Sequence, residues 1–131
     1  MPQSFYQLDI WKNGYALVLN IYRATERFPT SERYGLIDQL RRSSNSIIAN
    51  IAESQGRHSY NDKIRVLYQS RGEVFETRSH LKVAEGLGYL RGEEFNVLDR
   101  EYEGLLIGIN AYIKYLARFR HPINCINKIP N

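Results

Sequence analysis

Between Glu93 and Arg120, Phe95, Leu98, Tyr102, Leu105, Ile109, Tyr112, Leu116 and Phe119 recur in strict alternation of three and four residues. At about 100° per residue this spacing draws a single apolar seam down a long helix. The helix cannot bury that seam by itself. The chain must therefore supply other helices with matching seams, packed at the shallow angles of a coiled coil. Acids gather in the first half of this segment and bases in the second, in agreement with the helix dipole at both ends.

Three further segments answer the requirement. From Tyr34 to Ser54, Ile37, Leu40, Ser44, Ile47, Ile48 and Ile51 fall on one side of a helix. Arg41 lies at the margin of that stripe, Arg42 nearly opposite it, and Asn45, Ser46 and Asn50 complete a polar face whose only acids are Asp38 and Glu53. From Tyr60 to Glu85, Ile64, Leu67, Tyr68, Val74, Phe75 and Leu81 spread over a wide arc that also holds Arg71 and Arg78. These two are expected to pair with carboxylates such as Glu53 or Glu76 or to snorkel to the edge, with phosphate binding as the alternative. From Tyr6 to Thr25, Leu8, Trp11, Tyr15, Val18 and Tyr22 form a seam. Opposite it runs a second stripe, Ile10, Gly14, Leu17 and Ile21, which reads either as scattered surface aliphatics or as a subunit interface. Gly104 and Gly108 add a smooth strip to the last helix that suits the close approach of another helix.

Phe28-Pro29 ends the first helix, and Thr30 or Ser31 is positioned to cap the next. Ser59-x-x-Asp62 marks the start of the third helix, Gly86 and Gly88 its end, and His121-Pro122 the stop of the fourth. Four helices with short connections predict an all-α, antiparallel up-down-up-down four-helix bundle, one domain over residues 1–121 with a tail at 122–131.

The formal charge of +4 is unevenly spread: Glu93, Glu94, Asp99, Glu101 and Glu103 face only Arg100 in their segment, and no acid follows Glu103. Nucleic acid is thus a candidate partner. His58, His80 and His121 lack metal-ligand spacing, the Glu-x-x-His pairs of di-iron bundles are missing, and Gly86-x-Gly88 lacks the strand and third glycine of a dinucleotide loop. The expectation is a protein without metal, cofactor or catalytic site. With one cysteine, Cys125, no internal disulfide can form, and neither a leader nor a membrane-length apolar run is evident, so the cytoplasm is the expected location. Among the ten tyrosines, Tyr15, Tyr22, Tyr102 and Tyr112 read as core, while Tyr60, Tyr68 and Tyr115 are less firmly placed and are candidates for stacking on a base.

Several of these stretches also carry a family resemblance. Tyr34-Gly35-Leu36, Gln39-Leu40-Arg41-Arg42, Ser46-Ile47, Asn50-Ile51-Ala52-Glu53 and the set Gly56, Arg57, Ser59 and Asp62 resemble the four-helix-bundle family first associated with intervening sequences in bacterial 23S ribosomal RNA. Upstream the resemblance takes in Trp11, Tyr22, Phe28 and Pro29, and downstream Gly72, Glu76 and Leu87-Gly88-Tyr89-Leu90, so that it spans roughly residues 8 to 118. Ser43, Ser54 and Glu73 depart from it, standing where alanine, glycine and a small residue are usual. The resemblance implies a homopentameric ring, and relatives that serve as accessory proteins to the reverse transcriptases of diversity-generating retroelements. It brings no catalytic role.

Two functions follow as expectations: a non-enzymatic oligomeric scaffold that binds RNA or single-stranded DNA, or a protein–protein interaction module whose charge serves solubility. For the first, Arg41, Arg42 and Arg57 are the leading phosphate contacts, with Lys63, Arg65, Lys114, Arg118 and Arg120 as further contributors. Alternatively, Arg41 and Arg42 pair with Asp38 or Glu53, or with acids of a neighbouring subunit.

Overall fold

The computed structural model describes residues 4–120. Four helices follow one another, α1 (Asp9–Thr25), α2 (Leu36–Gly56), α3 (Tyr60–Gly86) and α4 (Gly92–Ala117), with 3-10 turns at Phe5–Gln7 and Thr30–Glu32. Consecutive helices pack together and α4 closes back on α1, whereas the backbones of the diagonal pairs do not meet. This is the expected up-down-up-down bundle. The tail at 122–131, Cys125 and the His121-Pro122 stop lie outside the described residues.

The boundaries follow local chemistry. Ser59 Oγ accepts from the Asp62 N–H at 3.1 Å and caps α3. Gly88, at φ 81°, ends it: the Tyr89 N–H reaches the Ala84 carbonyl at 3.0 Å and the Gly88 N–H the Glu85 carbonyl at 2.9 Å. The start of α2 differs from expectation. Thr30 and Ser31 enter the 3-10 turn after Pro29, and the free N–H of Leu36 is taken instead by Glu32 Oε1 at 3.2 Å.

Leu40, Ser44, Ile47 and Ile51 of α2 are buried, as are Phe95, Leu98, Tyr102, Leu105, Ile109 and Leu116 of α4, so both seams face the core as predicted. Ile113 is also buried, Tyr112 is half-buried, and Phe119, beyond the last turn of α4, stands outside.

The first helix is turned relative to its expected orientation: of the predicted seam Val18 is buried and Leu8 and Trp11 pack against the edge of the core, but Tyr15 and Tyr22 do not. Ile10, Leu17 and Ile21 are buried, the last two at 2% and 0% exposure, and Gly14 is buried beside them, while Tyr15 and Tyr22 stand out at 46% and 38%. The stripe assigned to a subunit interface is the inner face of the protomer. A Cβ on Gly14 would lie 2.5 Å from Ile48 Cγ2, and one on Gly108 2.9 Å from Ile10 Cγ2. These glycines therefore let α1 approach α2 and α4, and of the assigned interface residues only Gly104 faces open space. The physical reason is competition between two apolar stripes: burying a Leu or Ile side chain is worth about 1.5–3 kcal/mol, and a tyrosine at the margin keeps its hydroxyl wet. On α3 the same choice leaves Tyr68 and Phe75 outside and buries Val66, Ser70 and Thr77.

Hydroxyls join α2 to α3. Thr77 Oγ1 lies 2.8 Å from Ser43 Oγ, and Ser70 Oγ donates to the Ile47 carbonyl at 2.8 Å. Ser54 Oγ donates to Ile51 of its own helix at 2.6 Å. Buried hydroxyls with partners avoid the desolvation penalty that unbonded ones carry.

Candidate nucleic-acid interface

The five bases at and after α2 are all engaged within the protomer. Arg41 donates from Nε to Thr25 Oγ1 at 2.9 Å and from Nη2 to the Tyr22 carbonyl at 3.3 Å, with its guanidinium 4.5 Å above the Tyr22 ring. It thereby binds the C-terminal turn of α1, whose negative dipole end favours a cation, although the Tyr22 carbonyl also accepts from the Glu26 N–H at 3.2 Å. Arg42 reaches α3, bonding Glu76 at 2.7 Å and lying 3.7 Å from Glu73. Arg57 pairs with Glu53 and, at 3.4 Å, with Asp62. Arg65 meets Asp62 at 2.8 Å, and Lys63 donates to the Ser54 and Gln55 carbonyls at 3.1 and 3.2 Å, closing the end of α2. The anticipated pairing with acids thus occurs for Arg42, with acids of α3 in place of Asp38 or Glu53, and Arg41 has no acid partner among the described residues.

Proton affinities follow this pairing. The hydrogen bond that Arg42 donates to Glu76 raises Arg42, and the one that Arg57 donates to Glu53 raises Arg57. Arg65 holds Asp62 below the usual carboxylate range. Glu73, half-buried, is pushed up to about 7, first by burial and then by its hydrogen bond with Glu76, and Glu76 is held low in return. Arg78 forks onto Asp99 at 2.8 and 3.2 Å, and Arg71 donates to Asn110 at 3.1 Å. Both partners belong to α4. Glu53 and Glu76, the partners expected from the sequence, are occupied by Arg57 and Arg42.

The far end of α4 is different. Lys114, Arg118 and Arg120 are exposed and have no acid partner among the described residues. Lys114 and Arg118 line a shallow hollow with Ala111 and Tyr115. A chain of rings runs beside them: Tyr112 and Tyr115 are 6.2 Å apart with planes 12° from parallel, Tyr115 and Phe119 are 5.2 Å apart edge to face, and Tyr60 of α3 lies 5.5 Å from Phe119. Gln55 Nε2 donates to the Tyr112 hydroxyl at 2.9 Å and fixes the inner end of the row. Phe119 is the member that sequence reasoning missed, since the seam had placed it in the core. The available signal was the interleaving of Tyr112, Tyr115 and Phe119 with Lys114 and Arg118.

Among the described residues, no group of His, Cys, Asp and Glu is placed to hold a metal ion, and no helix is long and apolar enough to cross a membrane. A sequence model of the family described as 23S rRNA-intervening sequence protein matches residues 6–111. No curated protein matches the chain.

Proposed function

The chain belongs to the 23S rRNA-intervening sequence protein family, and from that premise we propose that it is a non-enzymatic helical scaffold that binds the backbone of RNA or single-stranded DNA through the C-terminal end of α4. The observation that carries this reading is the trio Lys114, Arg118 and Arg120, exposed and without an acid partner among the described residues. Guanidinium groups free of carboxylates are the ones available to fork onto phosphate. Arg41, Arg42, Arg57, Lys63 and Arg65 would have to exchange existing bonds to do the same, which demotes them from leading contacts to contributors.

The scaffold is proposed to be a homo-oligomer. Its support in the protomer is a set of exposed apolar side chains on the outer faces of α3 and α4, Tyr68, Phe75, Val97 and Ile107, the last 65% exposed. The number five, and a role in holding a reverse transcriptase of a diversity-generating retroelement to its template, extend the resemblance carried by the sequence motifs. Repetition of one weak phosphate site around a ring would raise avidity toward a single strand. In this reading the protein acts in the cytoplasm.

Fluorescence anisotropy of a labelled single-stranded RNA across 50–200 mM salt tests the reading. Three phosphate contacts per protomer predict a log–log slope of about −2 for each protomer engaged, by counterion release. An affinity indifferent to salt, or none, would favour the alternative, a protein–protein interaction module.

A further inference from the structure

We infer that Tyr115, Phe119 and Tyr60 form a stacking platform for unpaired bases, so that the ligand is a single strand read through its base faces as well as its phosphates. The inference rests on the nucleic-acid reading above and deepens it. Tyr115 in the last turn of α4 and Phe119 just beyond it are half exposed, at 50% and 49%, and Tyr60 at the start of α3 is exposed at 40%. Aromatic faces left in water at this density are an unused apolar surface. They are also held in position. Phe119 touches both Tyr115 and Tyr60, and Tyr115 faces Tyr112, whose hydroxyl is bonded to Gln55. A platform fixed in this way loses little side-chain entropy on binding.

The charge around the rings selects the occupant. Lys114 and Arg118 share a hollow with Tyr115 that no acid lines, and Asp62, two residues after Tyr60, is already held by Arg57 and Arg65. An anionic ligand with flat apolar groups meets both features at once. A duplex does not, because its bases are stacked on each other and offer only phosphate. Any base presents a π face, so the platform accepts single strands with little regard to sequence.

The test uses the full chain with a 12-nucleotide single-stranded RNA carrying 2-aminopurine and with the matching duplex, at fixed salt. The expected result is quenching of 2-aminopurine on binding, tighter binding of the single strand than of the duplex, and a roughly 10- to 100-fold loss of single-strand affinity in the Tyr115→Leu, Phe119→Leu double variant. Duplex affinity and the salt slope should not change. Tyr60→Leu, on another helix, gives a second and smaller loss that does not depend on the α4 variant folding. Unchanged single-strand affinity in both variants, with the wild-type salt slope intact, overturns the platform and leaves the backbone reading standing. Wild-type protein that binds neither RNA overturns both. A change in oligomer mass in the double variant makes the rings a subunit contact and likewise overturns the platform.

Discussion

At the scale of single residues, the most informative positions are polar groups drawn into the α2–α3 contact. Ser43 and Glu73 occupy places where the family resemblance leads one to expect alanine and a small residue. Thr77 bonds Ser43, while Glu73 lies beside Glu76 and Arg42 with its buried Oε2 left without a hydrogen-bond partner among the described residues. The protonation of Glu73 carries a stability signature. Its carboxyl titrates at the ordinary value in the unfolded chain and at about 7 in the folded one, so between those values the folded state holds the extra proton and stability falls as pH rises. The trend ends above about pH 7. Glu76, held low, contributes the opposite trend only at the acid end, where its pairing is lost on protonation. In urea denaturation, the midpoint of Glu73→Gln should gain on that of wild type from pH 5 to pH 7.5 and then run parallel to it. A constant gap would mean that Glu73 is ionised in the fold throughout.

At the scale of the element, the four helices and most of their ends were legible in the sequence, but the face each one buries was not equally so. For α2 and α4 a single stripe dominates, so periodicity and burial coincide. The first helix carries two, Leu8-Trp11-Tyr15-Val18-Tyr22 and Ile10-Gly14-Leu17-Ile21, and periodicity alone cannot rank them. Packing does, because Gly14 and Gly108 give the aliphatic face a closer fit than rings would permit. On α3 apolar residues lie on every side, and the polar residues Ser70 and Thr77 face inward, which reverses the usual cue. Gly14→Ala should therefore destabilise the protomer by about 1–3 kcal/mol, as overpacking does. Gly104→Ala, in open space on a helix, should stabilise it by up to about 1 kcal/mol. Chemical denaturation of the two variants checks both signs. Equal effects would return α1 to the orientation expected from its aromatic seam.

At the scale of the whole molecule, antiparallel packing gathers the C-terminal ends of α2 and α4 with the N-terminal ends of α1 and α3. Charge sorts along the same axis. The acids early in α4 are met by Arg27 and Arg91 at Glu94 and by Arg78 at Asp99, whereas the bases at its far end have no such partners among the described residues. The net charge was visible in the sequence, but its useful part was not, because the pairing of Arg42 with Glu76 and of Arg78 with Asp99 depends on which helices become neighbours. The central claim is that the free bases are the leading phosphate contacts and the paired ones only secondary contributors. It is tested most directly by comparing two charge-matched variants that keep their helical content, Lys114→Gln with Arg118→Gln and Arg120→Gln, against Arg42→Gln with Arg57→Gln and Arg65→Gln, in single-stranded RNA affinity over the same salt series. The account predicts that the first set loses most of the affinity and flattens the salt slope by about 2 for each protomer engaged, while the second changes the slope by less than 1. The reverse order, with the slope lost in the second set and kept in the first, would contradict it.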